Sequence, residues 1–347
     1  MATGRAGEAA ALLKKCIAAN RGGLLLRLTL QKAHSASGDQ SAALAAARET
    51  AQLYPDAAPA ALALGEALRM RGHLPTAIGE LQRALRLDPE LDAARVALGR
   101  AWLDAGEAGK ALENWRNIAD EKPSPQLRSL LAEAEHALGE PRSDARYVRH
   151  LFDQFSANYD SRMLAQLQYR APLILRQFAD FLGLGGTKRH AILDLGCGTG
   201  LMGEAVSDWA HRLDGVDLSP QMVQKARARG IYDELCVADI CDWLGEPGRR
   251  YDLIFAADTV VYLGDLAPLF SAVQGRLEEG GSFLFTTESK EDDGFELGPK
   301  RRWRHSQAYL RSEAERAGLH VAGLVSCVPR TEAGAPVPGL AVGLGRQ

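Results

Sequence analysis

Three glycines at alternate positions close the run Ile192-Leu193-Asp194-Leu195-Gly196-Cys197-Gly198-Thr199-Gly200. The apolar residues ahead of them read as a strand, so the glycines fall on a strand-to-helix turn. Without side chains such a turn lets a ligand approach the peptide groups closely. The helix that follows aims its partly positive N-terminus at the same place. Two ligand chemistries suit the loop. Read from Gly198 to Gly203 it satisfies GxGxxG, the pyrophosphate-cradling pattern of a dinucleotide site. In that register strand residues should precede the first glycine, yet Gly196 and Cys197 stand there, and Asp194 would lie beside like charge. A phosphate-free nucleoside carrying a sulfonium tolerates that carboxylate, and the context favours it.

Such a loop needs a sheet behind it. Short apolar runs at Ala191–Leu195, Leu213–Val216, Leu235–Ala238, Leu253–Ala256 and Ser282–Thr286 alternate with helical patterns at Met202–Trp209, Pro220–Ala228, Leu266–Leu277 and Gln307–Ala317. Late strands are expected near His320–Cys327 and Leu340–Leu344, and two helices ahead of the sheet at Arg146–Phe155 and about Leu164–Leu182. This alternation predicts a mostly parallel, doubly wound, Rossmann-like α/β sheet with helices on both faces. Ligands of such sheets bind beyond the carboxyl ends of the strands, where strand order reverses.

Residues 191–200 resemble motif I of class I S-adenosylmethionine (SAM)-dependent methyltransferases. Leu213-Asp-Gly-Val-Asp217-Leu218-Ser219-Pro220-Gln221-Met222 resembles the second motif, Val237-Ala238-Asp239-Ile240 the third and Tyr251–Asp258 the fourth. The resemblance implies a cofactor site of Asp194, Gly196, Cys197, Gly198, Gly200, Asp217, Leu218, Met222, Asp239, Ile240 and Asp258. In it Asp217 takes the ribose hydroxyls, Asp239 the adenine amino group, and Leu218 and Ile240 pack on the ring. Phe152-Asp-Gln-Phe155-Ser156-Ala-Asn-Tyr159-Asp160 is similar to the FxxxAxxYD lid of ubiquinone-biosynthesis and malonyl-carrier-protein methyltransferases, with Ser156 where Ala is frequent. Tyr159 and Arg170 are lid candidates, set against an interhelical tyrosine and a surface arginine.

Methyl transfer from a sulfonium rests on alignment and water exclusion, and needs a base only when the acceptor must lose a proton. Asp258, Tyr262 and His305 are the candidates for that role, and Glu288 a further acceptor-side residue. His305 enters because histidine titrates near neutrality. Lys300, Arg301, Arg302 and Arg304 around Trp303 suit an anionic substrate or acidic carrier, or form a solvated loop offsetting Glu291, Asp292 and Asp293.

The front of the chain repeats with a period of 34 residues, in the columns Gly38/Gly72/Gly106, Ala43/Ala77/Ala111, Pro55/Pro89/Pro123 and Leu30/Leu64/Leu98. Glycine suits a left-handed turn between helices, small alanine their close approach, and proline the end of a unit. The unit resembles the tetratricopeptide (TPR) repeat. One copy shows Leu64, Gly65, Leu68, Ala77, Leu81, Ala84 and Pro89; the next shows Leu98, Gly99, Trp102, Ala111, Trp115 and Pro123. A weaker copy at Leu24–Ala57 has Gln31 where Gly is expected and Thr50 where Ala is. Helices at Glu8–Ala19 and Gln126–Leu138 would cap the array. Together these features look like the bacterial TPR-containing methyltransferases.

A length of 347 residues favours two domains, placed at 1–138 (repeats) and 146–347 (methyltransferase), joined by a linker at 139–145. The formal charge of −3 argues against a dedicated nucleic-acid binder. No apolar run reaches the roughly 20 residues of a membrane span, and Met1–Ala11 lacks a signal-peptide core. Five scattered cysteines without CxxC pairs give no metal site and suggest a reduced, cytoplasmic setting. The sequence thus points to methylation of an oxygen on a small or carrier-tethered molecule, yielding S-adenosylhomocysteine, with the repeats contacting a protein partner or another copy. A protein methyltransferase recruited by the repeats, or a scaffold sensing SAM, is the alternative.

Overall fold

The computed structural model describes residues 2–19, 22–116, 118, 124–155, 159–165, 167–186, 188–298 and 301–347. Pro123, residues 156–158 of the lid segment and Lys300 lie outside them. The chain forms two compact units, Met1–Glu140 and Pro141–Gln347.

The first unit is helical: α1 (Ala2–Ala18), α2 (Leu24–Ala36), α3 (Gln40–Leu53), α4 (Ala58–Met70), α5 (Leu74–Leu87), α6 (Asp92–Asp104), α7 (Ala108–Arg116) and α8 (Pro125–Gly139). Consecutive helices pack as hairpins, and α4 also lies against both α2 and α6. Gly38, Gly72 and Gly106 each turn the chain within a hairpin at φ 84°, 75° and 73°, a region closed to most side chains. The glycines of a second column serve close approach instead. A Cβ on Gly65 would lie 2.6 Å from Leu81, and one on Gly99 only 2.2 Å from the Trp115 ring nitrogen. Trp115 is fully buried, and its indole N–H donates to Val96 O at 3.1 Å. In the weaker copy Thr50 is buried and its hydroxyl donates to Ala46 O at 2.7 Å, which satisfies it inside its own helix. Ser124 starts α8 by accepting from the Leu127 N–H.

The second unit opens with α9 (Ala145–Phe155), α10 (Tyr159–Ala165) and α11 (Ala171–Phe181). The helix expected over 164–182 is thus two helices: Gln168 takes φ 46°, and Pro172, which has no N–H to give, starts α11. Then follow β1 (His190–Leu195), α12 (Leu201–Val206), β2 (Ala210–Asp217), α13 (Pro220–Ala228), β3 (Glu234–Val237), α14 (Ile240–Gly245) and β4 (Tyr251–Ala256). The chain continues through α15 (Ala267–Arg276), β5 (Leu277–Ser289), β6 (Phe295–Leu297), β7 (Trp303–His305) and α16 (Gln307–Arg316). It ends with β8 (Leu319–Cys327), β9 (Thr331–Glu332), β10 (Ala335–Pro336) and β11 (Gly339–Arg346).

The main strand order is β3-β2-β1-β4-β5-β11-β8. From β3 to β5 neighbours are parallel, whereas β11 runs antiparallel to both β5 and β8. The sheet is therefore mixed, a correction to the mostly parallel one expected. The β9–β10 hairpin lies between β8 and β11 in the chain, and so short a return makes antiparallel partners, where a parallel pair needs a long crossover. The basic stretch around Trp303, for which a solvated loop was one reading, runs into β7, which pairs with β6 and, through Glu288–Arg304 and Ser289–His305, with β5.

Both faces of the central strands are covered, so their sequences run apolar without alternation. Leu193, Ile254, Phe283 and Phe285 share one core with Phe270, Val273 and Leu310 of α15 and α16. Ile192, Leu253, Phe255 and Leu284 point the other way, to Leu175 and Phe178 of α11 and Met202 of α12. Chain order reverses between β1 and β4, and the loops leaving the carboxyl ends of these two strands meet there.

Candidate active site

A cavity opens at that reversal point, floored by Gly196, Gly198, Asp217, Leu218, Asp239 and Ile240 from the loops after β1, β2 and β3. Gly198 takes φ 55°, and a Cβ there would meet only Gly196 O at 4.0 Å, so it would project into open space. Gly196 has a different reason to lack a side chain, since a Cβ would strike Thr259 at 2.3 Å.

Asp217 ends β2. Its Oδ2 accepts from the Gly198 N–H at 2.9 Å and its Oδ1 from the Ser219 N–H at 2.8 Å. Burial nevertheless pushes its carboxyl up to about 6, against the pull of these two donors. Ser219, with its hydroxyl accepting from the Met222 N–H, caps α13, which leaves Asp217 on the cavity wall. Asp239 caps α14 by accepting from the Cys241 N–H, and its other oxygen pairs with Arg142. The Arg142 ion pair was not foreseen: its residue sits in a segment that reads as linker.

Helices α9 and α10 cover the cavity with Val148, Leu151, Phe152, Tyr159 and Met163. Phe152 meets Tyr159 and Tyr262 with ring centroids 6.0 and 5.7 Å apart. Polar contacts tie this cover to the loops beneath. Arg149 Nε donates to Leu218 O at 3.1 Å, and Ser219 donates to Asp153. Asp160 accepts from Thr199 and from Arg229 Nη2, the latter at 2.6 Å.

On the other side stand Asp258, Tyr262 and Arg302. Asp258 holds φ 58°, unusual for a residue with a side chain, and its N–H donates to Thr286 Oγ1 at 2.8 Å. Its carboxylate is bound by Arg330 Nη1 at 2.5 Å. Burial raises the Tyr159 and Tyr262 hydroxyls above the ordinary phenol value, so both stay protonated donors near neutrality.

Several sequence candidates lie off the cavity wall. Asp194 is buried behind the loop, where Oδ2 accepts from Tyr232 at 2.7 Å and from the Gly203 N–H at 3.1 Å. Its Oδ1 is buried with no hydrogen bond among the described residues, and burial raises the carboxyl to about 7. Gly200 starts α12, and a Cβ there would press on Arg229 and Tyr232. Cys197 and Met222 are packed inside the protein. Arg170 is exposed; its backbone N–H donates to Pro329 O at 2.7 Å. Glu288 is buried against Arg330.

His305 needs the clearest correction. It is wholly buried, with Nδ1 2.7 Å from Thr287 Oγ1 and Nε2 3.0 Å from Gly264 O. Burial lowers its pKa to about 4, so it remains neutral, with both ring nitrogens engaged. A histidine's titration range is legible from its residue type; its burial here is not. Arg330, which ties Asp258, Glu288 and Glu332 together, was missed because two of its partners, Asp258 and Glu288, lie 72 and 42 positions away.

Residues 192–281 match the family described as Methyltransferase domain. The match lies within the second unit and runs from β1 into β5. The biotin biosynthesis bifunctional protein BioHC of Teredinibacter turnerae is 30% identical over 209 residues, 53% of this chain and 35% of that protein. Malonyl-[acyl-carrier protein] O-methyltransferase 1 of Ilyobacter polytropus is 30% identical over 152 residues, 42% of this chain and 53% of the relative. This chain thus spans about a third to a half of the length of these relatives. Among solved structures, a magnesium protoporphyrin IX methyltransferase from Synechocystis PCC 6803 shares 15% identity with a TM-score of 0.44, over 59% of this chain and 98% of its own. The cavity has the lining that the resemblance to SAM-dependent methyltransferases implies: a carboxylate at the end of β2, a glycine whose missing side chain leaves space, and apolar Leu218 and Ile240.

Proposed function

We propose that this chain transfers a methyl group from SAM to an oxygen of a small or carrier-tethered acceptor. The observation that carries the reading is the pairing of Gly198 and Asp217: the N–H of one fixes the carboxylate of the other, and both face the same cavity. Asp217 would receive the ribose hydroxyls, Leu218 and Ile240 would flank the adenine, and Asp239 would meet its amino group with the oxygen that Arg142 shares. The glycine loop would accommodate the amino-acid end. When bound, the donor supplies an electrophilic methyl carbon on a cationic sulfur. The protein's part is to bind, align and dry the reactants: the aromatic and aliphatic cover of α9 and α10 excludes water, while Tyr159 and Tyr262 offer hydrogen-bond donors.

The chain divides on this reading into a repeat domain at 1–138, a linker at 139–145 and a methyltransferase domain at 146–347. The 34-residue hairpins, similar to TPR repeats, serve protein contacts, either with a carrier or with another copy. A reducing cytoplasm suits the free cysteines, and no described helix is long and apolar enough to cross a membrane. The test is incubation with methyl-labelled SAM and cell extract, followed by separation of small molecules from protein. Label in metabolites or on a carrier's prosthetic arm supports the proposal. Label on amino-acid side chains points to a protein methyltransferase, and SAM binding without transfer to a sensing scaffold; either result defeats it.

A further inference from the structure

The two ends of the main strand order are finished differently. Strand β3 is four residues long and opens on Glu234, which pairs with Arg212 at 3.0 Å. Short length and charge are the usual guards against another strand adding to an open edge. Strand β8, at the other end, has neither. It runs for nine residues, and residues 319–328 include no Asp, Glu, Lys, Arg or Pro. Among the described residues its backbone hydrogen bonds go to β11, so the N–H and C=O groups on its outer side have no partner there.

Apolar surface follows the same edge. A Cβ on Gly323 would lie 2.8 Å from Phe178 and 3.3 Å from Leu182, so the end of α11 covers β8 at this point. Arg176 marks the opposite flank of α11, reaching Ala205 O of α12 and the Asp208 carboxylate. Phe181 comes five positions later, roughly 140° round the helix, on the flank of Phe178. It is 81% exposed, and Val325 and Val328 are each 41% exposed.

The register of β8 selects an occupant. Gly343 pairs with Gly323 but Leu344 with Val321, so Ala322 is bulged and residues 323–327 form the regular stretch. An open antiparallel edge is its own complement: turned about a two-fold axis, it offers every donor an acceptor. With the axis on Val325, that residue faces Val325 of the second copy, Leu324 faces Ser326 and Gly323 faces Cys327. No charge meets a like charge. Phe181, whose neighbours Phe178 and Leu182 cover Gly323, comes to Val328 of the other copy.

We propose that this chain forms a homodimer in which the β8 strands of two copies pair antiparallel, continuing one sheet across both. Neither β8 nor Phe181 lines the cavity, so the pairing stands apart from the methyl-transfer reading.

The experiment uses the full chain. Sedimentation equilibrium over a concentration series should reach twice the mass of one chain, and amide exchange at residues 323–327 should be slower there than in dilute solution. Val325→Lys sets two like charges opposite each other, and Phe181→Glu puts a charge into the apolar junction. Both change exposed side chains, so each should return the protein to the mass of one chain with its circular dichroism unchanged. Directly opposed residues have Cβ atoms about 4.5–5.5 Å apart, near enough for a disulfide after a small adjustment. Mild oxidation of Val325→Cys should therefore join two chains through the introduced thiols, located by mass spectrometry. A single-chain mass throughout, or a dimer without that cross-link, overturns the proposal. So does a dimer that both charged variants leave intact, which would move the contact to another surface.

Discussion

Asp194 stores a cost that pH should reveal. Holding this buried carboxyl at about 7 instead of 3.8 sets roughly 4 kcal/mol against its charged form. The native state keeps the proton up to about pH 7, whereas the unfolded chain releases it near 3.8. Across that interval the native state binds more protons, so unfolding free energy falls as pH rises. The stabilisation is whole below the lower value and lost above the upper one. Asp194→Asn removes the charge and keeps an oxygen for the Tyr232 hydroxyl and the Gly203 N–H. Relative to wild type, the variant should therefore gain roughly 2 kcal/mol between about pH 5.5 and about pH 7, and no more beyond. In thermal unfolding that is on the order of 4–8 °C for a unit of this size. Hydrogen exchange of the β1 and β2 amides, followed across the same range, assigns the change to the second unit. A difference between variant and wild type that stays constant with pH would refute the reasoning, because it would mean that Asp194 is charged in the native state throughout.

Two further expectations concern glycines. Gly198→Arg places a long side chain in the donor cavity and should abolish SAM binding in calorimetry while circular dichroism stays unchanged; retained affinity would remove the loop from the site. Gly99→Ala forces a methyl to within 2.2 Å of Trp115 Nε1 and should cost the first unit about 1–3 kcal/mol in urea unfolding, with the second unit unaffected.

What could be read in the sequence was what local chemistry writes there. Helix α13 spans Pro220–Ala228 as expected, because Ser219 supplies the cap and Pro220 the first turn. Strands β1 and β4 were visible as apolar runs because both their faces are buried. The hairpin period was visible because the same contact recurs, Gly65 under Leu81 and Gly99 under Trp115. What escaped was assembled across the chain. Arg142 and Asp239 are 97 positions apart, and Arg330 and Asp258 are 72 apart, so no motif joins them. Strand β7 looked like a basic loop because its residues are Trp, Arg and His; its pairing to β5 is made by backbone groups that composition does not report. His305 shows the same limit, since its chemistry depends on Thr287 and Gly264 and not on its sequence neighbours.

The contacts of Arg142, Arg149, Asp153 and Asp160 land on different loops, and those loops also form the floor beneath. On the proposed function, a spent nucleoside would leave as several of these contacts part together, so its release should slow as solvent viscosity rises.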